Sequence, residues 1–442
     1  MKLSISGIRG EYGKDLSTIE VSRFARSFAS KLMARGGSCI VSRDTRPSGN
    51  VLKFSVIAAL LEQGVNVYDL GIAPTPFTFR ESRKYDGGIM ITASHNPVSW
   101  NGLKFILKGR GISEEDLEGM LASEPPAIDT PGAIYQITTS YLNDVLDFVR
   151  NLSAPQKKHV GVDPGGGAAC GYINELFHKL GHGFVAINDV YGISSRGTDP
   201  TVEDLNELRS LVVNNSLALG FAFDLDADRV VVVDKHGRKL DPDATLLLCV
   251  GAALDLGARK FVVSLDTSQA LEKFIRNSGA RIEYSKVGEA NVVSKMIETG
   301  ADAGGEGSSA GYISPHFNMC RDGFLASALI ANMEEKQQAE YLKYAQTYEQ
   351  IRSKIHVPNS LQNDMIRELA ESLQKMASEI ILLDGVKALL DENSWILVRI
   401  SNTEDAMRIS VESTRNNAHD LFEFIKDKVL TINEKVKGRA DN

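Results

Sequence analysis

Three aspartates at alternate positions, Asp224, Asp226 and Asp228, have the type and spacing to hold a metal ion. They lie in FAFDLDADRVVVVD, where apolar runs typical of strands flank a short acidic loop. Carboxylates at this spacing can converge on one hard cation such as magnesium. A calcium EF-hand is disfavoured because its sixth position is Arg229, its twelfth is Lys235, and strands flank the loop. A solvated acidic turn is the alternative.

A serine in a polar loop, Ser94, is the candidate nucleophile or phosphate carrier. It follows the apolar run at 88–91 and precedes His95 and the turn that Asn96 and Pro97 predict. A serine hydroxyl is a weak nucleophile unless its site activates it, so this loop needs partners elsewhere. Lys104 is the nearest cation along the chain. Taken alone, the motif also fits an ordinary turn.

Two hydroxyls, an amide and two guanidinium groups surround a predicted loop between strands in VRISNTEDAMRI. They belong to Arg399, Ser401, Asn402, Thr403 and Arg408. Such groups can grip a phosphate, with arginine supplying bidentate contacts. A polar surface loop is the alternative interpretation.

The glycine-rich stretch GGEGSSAGYI at 304–313 carries Glu306 and Ser308, which suit hydrogen bonds to sugar hydroxyls or simply a flexible turn. Arg9, Arg43 and Arg46 lie in two further loop motifs and could hold an anion or form ordinary ion pairs. The three glycines at 165–167 lack the spacing of a nucleotide-binding loop, so we expect them to pack a strand against its helix.

The composition of the chain limits its class. Its 442 residues are 43% hydrophobic, and acidic residues outnumber basic ones by 57 to 49, giving a formal charge of -8. This balance argues against nucleic acid or an anionic membrane surface as the main partner. The four cysteines form no CxxC pair, the N-terminus lacks a signal-peptide core, and the longest apolar run, near 246–254, cannot span a bilayer. We therefore expect a soluble cytoplasmic protein.

Three segments share one pattern: an apolar strand ending in aspartate, a small-residue turn, an amphipathic helix closed by glycine, and another strand. The aspartates and glycines are Asp44, Asp163, Asp266, Gly64, Gly181 and Gly279. This repeat predicts three similar mixed α/β domains, followed by a smaller C-terminal α+β domain. The expected boundaries are 1–150, 151–247, 248–352 and 353–442.

In the C-terminal part, the polar stretch at 335–354 predicts a helix. A second helix, a hairpin at Asp384 and Gly385, strands at 395–400 and 407–411, and a final helix follow.

Five motifs in this order resemble the α-D-phosphohexomutase superfamily, whose members move phosphate between O6 and O1 of a hexose. They are SGIRG at 6–10, SRDTRPSG at 42–49, TASHNP with NGLK at 92–104, DLDADR at 224–229 and RISNTE at 399–404. The resemblance covers nearly the whole chain, and it implies that the domains are arranged around a central active-site cleft. It implies a phosphoserine at position 94 and a hexose 1,6-bisphosphate intermediate that also serves as activator.

The resemblance also implies roles for the remaining candidates. Ser94 and the three aspartates would bind one magnesium ion, Arg9 and Arg229 would lie beside them, and His95 and Lys104 would serve proton transfer or charge stabilisation. The sugar hydroxyls would contact Glu306 and Ser308. The non-reacting phosphate would contact Arg399, Ser401, Asn402, Thr403 and Arg408.

The chain departs from the family pattern at three places. Leu225 replaces a glycine, Asp405 replaces a proline, and the loop at 304–313 lacks the usual histidine. This loop and the following Arg321 resemble archaeal-type phosphoglucosamine and phosphomannose mutases more closely. We therefore expect conversion of glucosamine 6-phosphate to glucosamine 1-phosphate, by a monomer or homodimer. The alternatives are a phosphomannomutase/phosphoglucomutase, a non-catalytic sugar-phosphate sensor and a phosphatase.

Overall fold

The computed structural model describes residues 1–33, 37–123, 129–152, 157–401 and 405–440. The strands of this part form four separate sheets with eight, four, four and five strands. Helices accompany each sheet, as predicted for three similar α/β domains and a different fourth domain. None of the described helices combines the length and the apolar character needed to cross a membrane.

The first domain contains an eight-stranded sheet with strand order β1-β2-β6-β5-β3-β4-β8, and β7 pairs with β6. Its elements are β1 (Lys2–Ser4), β2 (Gly7–Glu11), α1 (Thr18–Met33), β3 (Ser38–Arg43), α2 (Gly49–Glu62), β4 (Asn66–Ile72), α3 (Thr75–Glu81), β5 (Gly87–Ile91), β6 (Trp100–Leu107), β7 (Arg110–Gly111), α4 (Glu114–Leu121) and β8 (Ile134–Gln136). The helix α5 (Tyr141–Val149) follows.

The second and third domains each contain a four-stranded sheet. The second comprises β9 (His159–Asp163), α6 (Tyr172–Lys179), β10 (Gly183–Ala186), α7 (Asn206–Asn214), β11 (Leu219–Phe223) and β12 (Val230–Asp234). The third comprises α8 (Pro242–Asp255), β13 (Lys260–Ser264), α9 (Gln269–Asn277), β14 (Arg281–Ser285), α10 (Glu289–Thr299), β15 (Ala303–Glu306), β16 (Gly311–Ile313), α11 (Gly323–Ala331) and α12 (Glu335–Ala345).

The predicted repeat is present in all three sheets. One helix joins two parallel strands in β3-α2-β4, β9-α6-β10 and β13-α9-β14. Each helix is followed by a glycine in the left-handed conformation, at φ 72°, 80° and 77° for Gly64, Gly181 and Gly279. The aspartates therefore emerge at the carboxyl ends of parallel strands, where α/β folds place their sites.

The fourth domain has a five-stranded antiparallel sheet with order β17-β21-β20-β19-β18. Its elements are β17 (Tyr348–His356), α13 (Asn359–Leu373), β18 (Glu379–Ile381), β19 (Val386–Asp391), β20 (Ser394–Ile400), β21 (Ala406–Thr414) and α14 (Ala418–Ala440). The prediction of one helix over 335–354 is wrong, because α12 ends at Ala345 and β17 begins three residues later. Ile351 and Ile355 have helical spacing, but β17 pairs with β21 over nine residue pairs.

Two of the expected domain boundaries fall inside elements of the structure. The boundary at 247/248 divides α8, and the boundary at 352/353 divides β17. Since β17 pairs with β21, the fourth sheet begins at Tyr348.

An aromatic cluster joins the first three domains near the carboxyl ends of their strands. The ring of Phe77 in α3 stacks on Tyr141 in α5, with centroids 4.0 Å apart, and meets the edge of Phe324 in α11 at 4.9 Å. All three side chains are buried, and the Tyr141 hydroxyl donates to Asp322 at 2.5 Å. Phe324 also contacts Phe223 of β11 with ring centroids 5.7 Å apart, so this packing connects α3 and α11 to the strand that precedes the acidic loop of the second domain.

Candidate active site

The acidic loop connects β11 to β12, whose five residue pairs form an antiparallel hairpin. Asp224, Asp226 and Asp228 are at most 1% exposed, and one carboxylate oxygen from each lies within 4.8 Å of the others. Ala227 turns the chain with φ 56°. The loop therefore concentrates three carboxylates in a buried position, as the spacing predicted.

The Ser94 loop meets this acidic loop directly. Ser94 Oγ donates to Asp224 Oδ2 at 3.0 Å, although the two residues are 130 positions apart. Ser94 is fully buried and has φ 52°, a conformation that costs a serine of the order of 1–3 kcal/mol. Surrounding contacts must therefore hold the serine in this position.

Arg46 supplies most of those contacts. Its guanidinium donates to the carbonyls of Ser94 at 2.5 Å, Asn96 at 2.7 Å, Pro97 at 2.5 Å and Trp100 at 2.9 Å. Its Nε also donates to the buried Asp44 carboxylate at 3.0 Å, so Arg46 and Asp44 form a buried ion pair. Of the two alternatives for Arg46, an anion site or an ion pair, the structure has the ion pair.

Cations surround the three carboxylates. Lys104 Nζ, from β6, donates to Asp226 Oδ2 at 2.7 Å and to Asp228 Oδ2 at 2.8 Å. Arg229 lies 3.8 Å from Asp228, and Arg9 of β2 is close enough to interact electrostatically with Asp226 and Asp228. Three predicted cations thus lie at the acidic loop.

The close packing of these charges shifts the acidities of the carboxyls in opposite directions. Burial, and then the charges of Asp228 and Asp226, raise the pKa of Asp224 well above its usual value. Burial also disfavours the charged form of Asp228, but Arg321, Lys104 and Arg229 outweigh it and lower its pKa. For Lys104, Asp226 and Asp228 outweigh burial and raise the pKa. The group is thus an interacting cluster of opposite charges.

His95 follows the serine and has its Nδ1 3.4 Å from Ser94 Oγ. The positive charge of Arg229 lowers the pKa of His95, and burial and Arg9 act in the same direction. The imidazole is therefore neutral near pH 7, and it has one ring nitrogen able to accept a proton.

The oxygens of the acidic loop divide into two sets. Asp226 Oδ2 accepts hydrogen bonds from Thr75 and Lys104, and Asp228 Oδ2 accepts from Lys104 and Arg321. By contrast, Asp226 Oδ1 and Asp228 Oδ1 are buried without a hydrogen-bond partner. Buried carboxylate oxygens without partners are costly in a folded protein, and a hard divalent cation would satisfy both. The residues present thus fit a magnesium site.

The predicted sugar loop lies between β15 and β16 and is joined to this cluster through Arg321. Glu306 is 4% exposed and accepts from Gly288 N at 2.8 Å and from Arg321 Nη1 at 3.2 Å. Ser308, half-buried, hydrogen-bonds to Asp266 in the same domain. The loop thus has one fixed carboxylate and one hydroxyl, as its sequence predicted.

The predicted phosphate loop lies in the fourth domain. Arg399 pairs with Arg408 in the β20–β21 register, and Arg408 pairs with Lys354 in the β17–β21 register. These three cations thus form one row across neighbouring strands of the fourth sheet. Ser401, 7% exposed, follows Arg399 at the end of the strand, whereas Asn402 and Thr403 lie outside the described residues. Lys354 was missed because it was assigned to a helix.

Arg399 also connects the fourth domain with the third. Burial raises the pKa of the Asp266 carboxyl, but Arg352 and Arg399 outweigh it, and the pKa is lowered. Since Ser308 hydrogen-bonds to Asp266, this carboxylate links the predicted phosphate loop to the predicted sugar loop.

Three family models match the chain along most of its length. They describe the phosphoglucomutase/phosphomannomutase α/β/α domains I, II and III and match residues 1–123, 139–237 and 241–351. A probable phosphoglucosamine mutase from Pyrococcus abyssi is 32% identical over 414 residues, which cover 89% of this chain and 91% of the relative. The chain belongs to the phosphoglucomutase/phosphomannomutase family. It is thus a phosphohexomutase, an isomerase of hexose phosphates.

Solved structures agree with this assignment. A phosphoglucomutase/phosphomannomutase family protein from Burkholderia thailandensis superposes with a TM-score of 0.84 at 26% identity, and the match covers 98% of both chains. The N-acetylphosphoglucosamine mutase of Aspergillus fumigatus, solved with GlcNAc-6P and magnesium, shares the fold with a TM-score of 0.60 at 14% identity, over 98% of this chain and 96% of that one.

Several residues that support the site of this phosphohexomutase were not predicted. Thr75, at the start of α3, donates through its hydroxyl to Asp226 Oδ2 at 2.6 Å and through its N–H to Asp226 O at 2.8 Å. Thr198 donates to the His95 carbonyl at 2.5 Å, and Asp199 accepts from Arg229 at 3.2 Å. The signal for Thr75 was its position between two prolines after a strand, where a helix begins.

The glycines at 165–167 were wrongly assigned to strand–helix packing. A Cβ on Gly167 would lie 2.7 Å from the Leu225 carbonyl oxygen and 2.9 Å from its Cα. Ala168 N donates to the same carbonyl at 2.8 Å. The glycine turn therefore packs against the backbone of the acidic loop at Leu225. The loop accommodates this leucine although the family usually has glycine at the position.

Proposed function

We propose that this phosphohexomutase converts glucosamine 6-phosphate to glucosamine 1-phosphate and that Ser94 carries the transferred phosphate. The role of Ser94 is supported most directly by the hydrogen bond from Ser94 Oγ to Asp224, because the serine hydroxyl thereby lies beside the carboxylates that suit a metal ion. The name of the Pyrococcus abyssi relative, a probable phosphoglucosamine mutase, supports the choice of sugar.

The reaction consists of two phosphoryl transfers in opposite directions. First the bond between Ser94 Oγ and phosphorus breaks, a bond from phosphorus to a sugar hydroxyl oxygen forms, and that hydroxyl loses its proton. The hexose 1,6-bisphosphate then turns over in the site. Its other phosphate returns to Ser94 Oγ, and the oxygen that it leaves takes up a proton.

We assign one magnesium ion to Ser94, Asp224, Asp226 and Asp228, and a bound ion would neutralise charge on the transferring phosphoryl group. Arg9 and Arg229 add positive charge at the same place. His95 Nδ1, beside Ser94 Oγ and neutral, is the candidate proton acceptor. Lys104 is better suited to charge stabilisation, because its ammonium already donates to Asp226 and Asp228.

The other end of the substrate is assigned to the third and fourth domains. Glu306 and Ser308 would accept or share hydrogen bonds with sugar hydroxyls, and Arg399, Ser401, Asn402, Thr403 and Arg408 would hold the phosphate that is not transferred. Asp405, which replaces the family's proline, accepts from Asn359 at 2.8 Å. This contact directs its carboxylate to the start of α13 and supports a functional phosphate site.

The alternatives differ in substrate or in outcome. A phosphomannomutase or phosphoglucomutase would use the same residues, whereas a sensor would bind without turnover and a phosphatase would release inorganic phosphate. We also propose a cytoplasmic location and a monomeric or homodimeric state.

The test is a conversion assay with glucosamine, mannose, glucose and N-acetylglucosamine 6-phosphates, with magnesium and glucose 1,6-bisphosphate. We expect fastest conversion of glucosamine 6-phosphate, and none by Ser94→Ala, since that variant has no oxygen to carry phosphate. Preferred conversion of another sugar would overturn the substrate assignment. Stoichiometric release of inorganic phosphate would favour a phosphatase, and turnover by Ser94→Ala would contradict the role of the serine.

A further inference from the structure

Arg321 is a buried cation that the residues assigned to the reaction do not include. Its side chain is 8% exposed, and it contacts three carboxylates from three different segments. Nη2 donates to Asp228 Oδ2 at 2.7 Å, Nη1 donates to Glu306 Oε2 at 3.2 Å, and Nε forms an ion pair with Glu289 Oε2 at 3.0 Å. One planar group thus joins the acidic loop of the second domain to the sugar loop of the third.

The backbone that directly follows Arg321 is held in place by its neighbours. The next residue, Asp322, caps α11 by accepting from Leu325 N at 3.0 Å and also accepts from the Tyr141 hydroxyl. Gly323 lies against the acidic loop, since a Cβ there would be 2.8 Å from Ala227 O and 2.9 Å from Arg229 O. Arg321 is therefore anchored to the loop that it contacts.

The glycine-rich sugar loop leaves room for this arginine. A Cβ on Gly311 would lie 2.2 Å from Arg321 Cδ and 2.7 Å from its Cγ. Any larger side chain at Gly311 would therefore collide with Arg321, so this glycine is needed for the arginine to reach its position.

Opposite charges strengthen the contacts between Arg321 and its three carboxylates. Burial alone would lower the pKa of Arg321, but Asp228, Glu289 and Glu306 outweigh it and raise the pKa. Asp228 and Glu306 each accept one hydrogen bond from the same guanidinium. A change at one of these carboxylates therefore alters the strength with which Arg321 binds the other carboxylate. A lysine has a single ammonium and cannot span three carboxylates in this way.

We propose that Arg321 is a positioning residue that couples Glu306 of the sugar loop to Asp228 of the metal loop. Occupation of Glu306 by the sugar thereby changes the affinity of the aspartates for the metal ion, and metal binding changes the affinity for the sugar by the same factor. This proposal rests on the proposed roles of Glu306 and the aspartates.

The test is a double-mutant cycle that needs no sugar. Manganese(II), as the probe metal, is titrated by electron paramagnetic resonance into the wild type, Glu306→Gln, Arg321→Met and the double variant. Glu306→Gln frees the arginine to hold Asp228 more tightly, so we expect its manganese affinity to fall about fivefold or more. In the Arg321→Met background the same change should alter the affinity by less than about twofold. Equal effects in both backgrounds would overturn the coupling.

Three further variants keep the test decisive if Arg321→Met does not fold. Arg321→Lys retains the charge, and Gly311→Ala displaces the arginine sterically; the effect of Glu306→Gln should shrink in both. Glu298→Gln, which removes an exposed carboxylate on α10, is the matched control and should leave manganese affinity unchanged.

Kinetics provide an independent measure once the wild type converts a hexose phosphate. Arg321→Lys would hold Asp228 less tightly and leave Glu306 less fixed, so it should lower the magnesium activation constant and raise the sugar KM, each by about fivefold or more. A purely structural role would lower kcat in proportion to the folded protein and leave both constants unchanged, which would refute the proposal. An inactive wild type would refute the proposed function but not the cycle measured with manganese alone.

Discussion

Replacement of Arg46 by methionine tests whether this side chain holds the Ser94 loop in place. Methionine is similar in length but donates no hydrogen bond. The change removes the donor of five hydrogen bonds, one to Asp44 and four to the carbonyls of Ser94, Asn96, Pro97 and Trp100.

The expected loss of stability follows from these contacts. Asp44 is fully buried, and removing one partner of a buried ion pair costs about 3–5 kcal/mol. Each carbonyl that stays buried without a donor adds about 1–3 kcal/mol. The lower bound, about 3 kcal/mol, is a large part of the roughly 5–15 kcal/mol that stabilises a typical domain.

The assay is urea denaturation followed by the fluorescence of Trp100. The chain has two tryptophans, so the Trp395→Phe background isolates the signal of the first domain. Arg43→Met is the matched control, since Arg43 is half-buried and donates one hydrogen bond, to the Asp44 carbonyl at 2.8 Å. It should cost about 0.5–1.5 kcal/mol. Equal effects of the two substitutions, with turnover retained in Arg46→Met, would refute the role of Arg46.

Three further predictions concern the metal, the phosphate and the fourth domain. Thr75→Val removes the hydroxyl that donates to Asp226, so the magnesium concentration for half-maximal activity should rise about 10- to 100-fold; an unchanged value would argue against Asp226 as a ligand. Arg399→Ala should raise the KM for the hexose phosphate at least about tenfold with a smaller change in kcat, whereas the exposed Arg415→Ala should not; an unchanged KM would contradict the phosphate contact. Burial raises the pKa of Glu412 to about 7, so its contribution to stability is full below the unfolded pKa near 4.5 and is lost as the pH rises towards 7, up to about 3 kcal/mol. Glu412→Gln should remove this pH dependence from urea unfolding followed by Trp395, whose indole N–H donates to Glu412 at 3.1 Å; an identical pH profile in the variant would refute it.

The repeated domains could be predicted from the sequence because each β-α-β unit is a local pattern. The strand, the helix and the closing glycine lie within about thirty residues, and Gly64, Gly181 and Gly279 mark the same position in each. The acidic loop was equally local, since Asp224, Asp226 and Asp228 lie in one hairpin.

The errors in the prediction come from contacts between distant segments. The helix predicted over 335–354 followed the polar character of that stretch, yet its last residues form β17 because β21 offers a nine-residue partner. The sequence singled out Arg46 only as a cation for an anion or an ion pair, and it gave no sign that this side chain contacts a loop fifty residues away or that Arg321 joins two domains. Residues that act through such contacts require the fold before their roles can be recognised.

The most direct test of the central claim is to locate phosphate on the protein during turnover. The mutase is incubated with glucose 1,6-bisphosphate that carries isotopically labelled phosphates and then with unlabelled glucosamine 6-phosphate, and labelled and unlabelled phosphate on Ser94 are measured by peptide mass spectrometry at short times. We predict that Ser94 becomes phosphorylated with the label and then exchanges it for unlabelled phosphate at least as fast as product forms. An unmodified Ser94 during full-rate turnover, or a phosphoserine that keeps its label through many turnovers, would contradict the account.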